Sequence, residues 1–174
     1  MVGRRMVELN LSWITSELAV GGSFPESLAE ALAREHGVRA VVDLRAEERD
    51  DEALLVQHGM TFLHLPTADH GAIGLPMLED GVGFVNRHLD RGEKVLIHCA
   101  WGIGRSATLA LCVLVSRGMA PLAALELAKS RRSHVSPSPA QFACWSAWMR
   151  ANGHGEAVPH FDAFKAIAYR HLLG

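Results

Sequence analysis

Three short apolar runs alternate with stretches of helical spacing, and this alternation limits the possible folds more than any other feature of the chain. The runs are Val38–Leu44, Thr61–Leu65 and Lys94–His98. Each is too short for a helix of ordinary length and too continuously apolar for a one-sided strand, so each reads as a strand buried on both faces. Strands separated by helices pair in parallel, with the helices covering both faces of the sheet. The expectation is an α/β domain with a central, mostly parallel sheet of four or five strands. In such sheets ligands sit beyond the carboxyl ends of the strands. The loops after Leu44, Leu65 and His98 therefore form the expected functional edge.

The remaining segments fit around that sheet. Leu11–Ile14 and Leu18–Val20 read as an opening hairpin, and Ser23-Phe24-Pro25-Glu26 as a helix start. Further helices are predicted over Glu47–His58, Pro76–Arg91, Ser106–Arg117 and Pro121–Arg131, and from Ser136-Pro137-Ser138-Pro139 to about Ala151. Within the first of these segments, the acidic cluster Glu47-Glu48-Arg49-Asp50-Asp51-Glu52 reads as a solvated helix start. It could also rim the pocket. Arg131 and Arg132 read as solvated surface, with a basic rim as the alternative.

A length of 174 residues suits one domain. The expected division is a catalytic domain over residues 1–151 and a helical extension over 152–174 packed on it. In the extension Phe161, Phe164, Ile167, Ala168 and Leu172 share one face; a partner-binding tail is the alternative.

Composition removes several classes. Lys+Arg 17 against Asp+Glu 19 gives a net charge of -2, which argues against a nucleic-acid binder. No apolar stretch approaches the length of a membrane span. The basic pair Arg4-Arg5 is followed by Glu8 and Asn10, so no secretory signal is expected. The 10 histidines are scattered, and neither metal nor cofactor is predicted. The 3 cysteines do not suit a disulfide scaffold and point to a cytoplasmic protein with reduced thiols. Cys112 and Cys144 read as core residues, with a redox partnership to Cys99 as the alternative.

The chemistry concentrates in His98-Cys99-Ala100-Trp101-Gly102-Ile103-Gly104-Arg105-Ser106. A cysteine ends a buried strand, a glycine-bearing loop follows, and an arginine opens a helix. Successive N–H groups in such a loop converge into an anion-binding nest, and the helix adds its positive end. Gly102 and Gly104 permit close backbone approach, and Arg105 can fork onto two phosphate oxygens. The same field lowers the pKa of a thiol. A thiolate in a phosphate-shaped site is placed to attack phosphorus.

This segment resembles the signature of the cysteine-dependent protein tyrosine phosphatases: His-Cys, five residues, Arg, then Ser or Thr. The resemblance covers roughly residues 10–150, and chain length and the late motif are similar to the small dual-specificity branch. It implies a protein-tyrosine-phosphatase-like fold and hydrolysis through a phosphocysteine. Cys99 would be the nucleophile. Arg105 and the backbone of Ala100, Trp101, Gly102, Ile103 and Gly104 would hold the phosphate. Ser106 would assist thiolate departure or cap the helix, and His98 would brace the loop. Asp69, thirty positions before Cys99, is the expected general acid and base, ahead of Asp43 and Asp80. Trp101 reads equally as pocket wall or packing residue. Ser138 and Ala140 replace the family's usual asparagine and glycine, which weakens any expected bond from that segment to the loop.

The expected partner is a phosphoprotein, with phosphotyrosine first and phosphoserine or phosphothreonine behind it. Loop residues 100–104 carry no lysine, which disfavours highly charged substrates. The alternatives are a phospholipid or small-molecule phosphatase on the same scaffold, and a non-catalytic phosphate-binding pseudophosphatase.

Overall fold

In the computed structural model, which describes residues 8–173, the opening hairpin forms from β1 (Leu11–Trp13) and β2 (Leu18–Gly21). The Arg4-Arg5 pair lies outside the described residues. The three buried runs become β3 (Val38–Arg45), β4 (Thr61–Thr67) and β5 (Lys94–His98). All five join one sheet in the order β1-β2-β5-β3-β4. Only the β1 pairing is antiparallel; β2, β5, β3 and β4 run parallel. The mostly parallel α/β sheet expected from the alternation is thus present.

Seven α-helices connect and follow the strands within the described residues. They are α1 (Ala29–Arg34), α2 (Glu52–Gln57), α3 (Leu75–Asp90), α4 (Arg105–Ser116), α5 (Pro121–Arg131), α6 (Pro139–Ala151) and α7 (Phe161–Ala168). Side chains alternate between the two faces of the sheet, as the two-residue period requires. Val20, Ala40, Val42, Val95 and Ile97 face the larger core with α3–α7, while Ala19, Val41 and Leu96 face the smaller core with α1 and α2. The helix α4 is almost wholly buried, so the strand–loop–helix unit carrying Cys99 is the axis of the larger core.

Two expected helices are shorter than their sequence pattern. The first opens as a single 3-10 turn over Glu26–Leu28 behind Pro25 before α1 begins. The second starts only at Glu52, where the Asp51 side chain accepts from Leu54 N–H at 3.1 Å. Residues 46–50 stay non-helical because the carboxylates of Glu47, Glu48 and Asp50 are drawn to buried cations, described below.

The segment after residue 151 packs back. Phe164 and Ala168, both fully buried, join the larger core, and Phe164 lies 4.6 Å from Phe142 between ring centroids. No helix among the described residues is long and apolar enough to cross a membrane.

Candidate active site

Three parallel strands end at one level. Gly21 pairs with His98, and His98 pairs with Asp43. The loops leaving β3, β4 and β5 consequently meet at this edge. Between β5 and α4 the chain reverses within residues 99–104. Gly102 sits at φ +68, and a Cβ there would come within 2.6 Å of the Gly21 carbonyl carbon. Only glycine has both the conformation and the clearance.

Cys99 is buried, 3% exposed, at the start of this loop. Gly102 N–H donates to its Sγ at 3.3 Å, and Ser106 Oγ lies 3.3 Å from the same sulfur. Burial pushes the thiol up. The Ser106 hydroxyl and the backbone N–H groups of Ser106, Gly102 and Trp101 together outweigh it, and the thiol falls below its ordinary value. Ser106 is not the helix cap, because α4 already begins at Arg105 behind Gly104. The other two thiols lie elsewhere: Cys112 is fully buried and Cys144 half-buried, and burial raises both.

His98 makes contacts behind the loop. Its Nδ1 lies 3.2 Å from the Cys99 carbonyl, and its Nε2 lies 2.5 Å from Asp50 Oδ2. Burial lowers the imidazole pKa, but the Asp50 and Asp43 carboxylates more than offset it and hold the ring above its ordinary value. Asp43 is fully buried, and Arg45 forks onto both of its oxygens at 3.0 and 3.1 Å. Asp43, Asp50 and His98 bring three donor atoms within 4.8 Å of one another. Arg45 also reaches Asp50 at 3.0 Å, so these carboxylates are neutralised by Arg45 and His98 rather than arranged around a cation.

Arg105 is 1% exposed, and its guanidinium lies under the loop. Glu47 accepts from Nη1 and Nη2 at 2.8 and 2.7 Å, and the Thr67 carbonyl accepts from Nη1 at 2.8 Å. The Nε–H is buried without a protein partner. The Arg105 hydrogen bonds pull the Glu47 carboxyl down to about 2. Residues 47–50 are therefore not a solvated helix start; only Asp51 and Glu52 play that part, at the opening of α2. Glu47 engages Arg105, Glu48 engages Arg45 at 2.8 Å, and Asp50 bridges Arg45 and His98. An ion pair between planar, bidentate partners is stronger than the weak dipole gain of a helix start.

Asp69 lies on the loop after β4. Its side chain is half-exposed, with Oδ1 3.6 Å from Arg105 Nη2. The neighbouring His70 takes a positive φ of 59, and its N–H donates to Asp69 Oδ1 at 3.1 Å. Asp69, His70, Cys99, Trp101, Ile103, Gly104, Ser136 and Gln141 line one cleft of about 120 Å³. Trp101 stands at its mouth, 68% exposed. Asp43 lies outside this lining, bound to Arg45. Asp80 is on α3 and lines a separate surface hollow with Leu63, Glu79 and Arg87.

The outer side of the loop is held by residues that the sequence pattern assigned elsewhere. Arg132 is not solvated surface: it donates to the carbonyls of Gly102 and Trp101 at 2.8 and 2.9 Å, and to Asn10 and Ser12 side chains. Ser136 N–H donates to the Ile103 carbonyl at 2.9 Å, despite the departures at Ser138 and Ala140. Gln141 closes a capping box with Ser138. Its amide donates to the Gly71 carbonyl at 3.2 Å, and its side chain abuts Gly104, where an added Cβ would meet Oε1 at 2.5 Å. Glu47, Asp50 and Arg132 enter the sequence reading only as a possible pocket or basic rim, and Gln141 not at all. The available signal for the first two was position, since an acidic run directly after a parallel strand lies on the functional edge.

Comparison with known proteins agrees with this geometry. Residues 25–119 match a family model described as a polymorphic toxin system DSP-PTPase phosphatase. Human dual specificity protein phosphatase 5 is 32% identical over 126 residues, covering 70% of this chain and 31% of that protein. Rat phosphatidylglycerophosphatase and protein-tyrosine phosphatase 1 is 31% identical over 129 residues, covering 69% of this chain and 66% of that protein. A crystal structure of PTPMT1 in complex with PI(5)P superposes with a TM-score of 0.75 at 24% identity, over 83% of this chain and 97% of that one, a likeness of fold. The chain belongs to this DSP-PTPase family, within the cysteine-based protein tyrosine phosphatase superfamily. It spans about a third of the length of the first curated relatives it matches, human dual specificity protein phosphatase 5 among them.

Proposed function

We propose that the chain hydrolyses phosphate monoesters through a phosphocysteine formed on Cys99. The observation that carries this reading is the pairing of a buried, acidified thiol with the partnerless Nε–H of Arg105. A phosphate beside Cys99 would supply the acceptor that this buried donor needs. The N–H groups of residues 100–105 would hold its remaining oxygens.

In the first step the Cys99 thiolate attacks phosphorus. The S–P bond forms, the P–O ester bond breaks, and Asp69 gives its proton to the leaving oxygen. In the second step water attacks phosphorus and Asp69 takes its proton. The S–P bond breaks, inorganic phosphate leaves, and Ser106 Oγ–H stabilises the departing thiolate. Glu47 and Thr67 hold both Arg105 Nη groups throughout, so it is the Nε–H, and not the fork expected from the sequence, that would meet the phosphate. His98 and Asp50 hold the Cys99 end of the loop.

The substrate class assigned first is phosphotyrosine in proteins, with phosphoserine and phosphothreonine behind it. Loop residues 100–104 present no cation, and Glu47 and Asp69 stand beside Arg105, so additional phosphates would meet carboxylates. A phospholipid monoester is the second reading. It is favoured by the phosphatidylglycerophosphatase relative and by the exposed indole of Trp101 at the cleft mouth, a side chain suited to lipid interfaces. Free, low-pKa thiol chemistry suits a reducing, cytoplasmic setting.

Turnover of an aryl phosphate tests the chemistry. Cys99→Ser is expected to lower it by about 10⁴-fold or more, and a phosphoenzyme is expected to be trapped on Cys99 after rapid acid quench of the wild type. Unchanged turnover in Cys99→Ser would overturn the mechanism. Absence of turnover in the wild type would leave the pseudophosphatase. A panel of phosphopeptides and phospholipid vesicles separates the two substrate classes.

A further inference from the structure

The C-terminal segment lines no part of the Cys99 cleft, yet it is bonded to the chain on either side of Ser136, which does. Tyr169 Oη donates to the Pro137 carbonyl at 2.6 Å. Lys129, on α5, is 3% exposed. Its ammonium meets the Val135 carbonyl at 2.8 Å, the Ala168 carbonyl at 2.6 Å and His171 Nδ1 at 2.6 Å. Three N–H donors thus face three acceptors. Burial pulls the Lys129 amine down to about 8, so the charged form still prevails at neutral pH.

The segment held in this way supports both catalytic loops. Ser136 N–H bonds the Ile103 carbonyl on the Cys99 loop. Two residues on, Ser138 Oγ–H bonds the His70 carbonyl at 2.9 Å, next to Asp69, and Gln141 bonds Gly71. Residues 135–141 are therefore one strut with the nucleophile loop and the acid loop resting on it. The tail and Lys129 fasten that strut from behind.

Packing alone does not explain this arrangement. The tail is already anchored by Phe164 and Ala168, both fully buried. A buried ammonium costs desolvation that an apolar side chain would avoid. The bonds that Lys129 and Tyr169 make to the strut end on its carbonyls at Val135 and Pro137, which sets its height and tilt.

We propose that Tyr169 and Lys129 are positioning residues, and that the C-terminal segment 161–173 sets the distance between Asp69 and the Cys99 loop through the 135–141 strut. This inference rests on the reading of Asp69 as the general acid. A displaced acid harms substrates in proportion to how badly their leaving group needs a proton, whereas lost stability harms all substrates alike.

The test uses the full chain and a series of aryl phosphates of rising leaving-group pKa, with thermal unfolding measured in parallel. Asp69→Asn is the reference for complete loss of acid catalysis and is expected to steepen the dependence on leaving group most. Tyr169→Phe keeps the ring and removes one bond. Its kcat/KM, which reports the step that expels the leaving group, is expected to fall about twofold on the best leaving group and about fivefold or more on the worst, the size of one lost hydrogen bond. Lys129→Met is expected to act in the same direction, and Lys129→Arg to restore part of the effect. If Tyr169→Phe leaves the slope of the leaving-group series at its wild-type value while Asp69→Asn steepens it, the inference falls and the phosphatase mechanism stands. If Asp69→Asn does not steepen it either, the assignment of Asp69 falls and takes the inference with it.

Discussion

Two loops leave neighbouring parallel strands at the same edge, and they are built in opposite ways. Residues 46–51, after β3, are locked. Glu47 is bidentate on Arg105, Glu48 and Asp50 are on Arg45, and Asp50 also meets His98. Residues 68–74, after β4, are held by backbone carbonyls at His70 and Gly71, while the carboxylate of Asp69 stays half-exposed, 3.6 Å from the Arg105 guanidinium and 3.5 Å from His70 Nε2. One acidic loop has its charge consumed in fixing an arginine. The other leaves its carboxyl free to exchange a proton with a substrate. A carboxylate that must gain and lose a proton cannot sit in a tight ion pair, because the cation holds it ionised. Glu47, pulled to about 2, could not serve as a general acid at neutral pH.

This contrast breaks most visibly at Asp69. Asp69→Asn is expected to lower kcat by about 10²–10⁴-fold and to flatten the basic limb of the pH–rate profile; a preserved limb would move the acid elsewhere. The locked loop fails differently. Glu47→Ala removes two charge-assisted bonds from Arg105 and is expected to lower kcat/KM by about 10–100-fold, given roughly 1.5–3 kcal/mol for such contacts. The shape of its basic limb is expected to stay as in the wild type. A Glu47→Ala profile that loses that limb would show that the two loops do not divide the work in this way.

Ser106→Ala sharpens the comparison from the nucleophile's side. The Ser106 hydroxyl helps hold the Cys99 thiol below its ordinary value. Its removal is expected to move the acid limb of kcat/KM to higher pH and to make phosphoenzyme breakdown slower relative to formation, read as a larger burst. The smallest effect concerns stability. Glu47 is ionised more readily when folded than when unfolded, so its contribution is present above the ordinary carboxyl range near 4.5 and is lost as pH falls toward 2. Acid unfolding of Glu47→Gln is expected to show a shallower loss over that window than the wild type. The difference is expected to be modest, because Glu47 is half-exposed and solvent screens it.

Much of the sheet and of the nucleophile loop was legible in the sequence. The runs at Val38 and Lys94 are buried on both faces, so their pattern is continuous and local, whereas the Thr61 run is an edge strand with exposed and half-buried positions. Cys99, Gly102, Gly104, Arg105 and Ser106 are contiguous, so their joint chemistry can be read from spacing. The residues that escaped are those whose partners are distant. Glu47 finds Arg105 across 58 positions and Asp50 finds His98 across 48. Arg132 reaches Asn10 across 122. Helical spacing drew the start of α2 back to Glu47, because local pattern reports propensity and cannot weigh a bidentate bond to a buried arginine.

The amino-acid order alone determined the alternation of strands and helices, and with it the parallel sheet and the edge where its loops converge. It also determined that a thiol, two glycines and an arginine would meet at one turn between a strand and a helix, because the six-residue loop 99–104 and the helix start behind it leave them nowhere else to go. Tertiary structure decided how charges at that edge are apportioned. It set Glu47 against Arg105, left Asp69 half in solvent, turned Arg132 onto the loop carbonyls and brought Tyr169 and Lys129 behind the strut. Those choices depend on which buried cation each carboxylate meets and which carbonyl each donor reaches, and only the folded chain brings such partners within bonding distance.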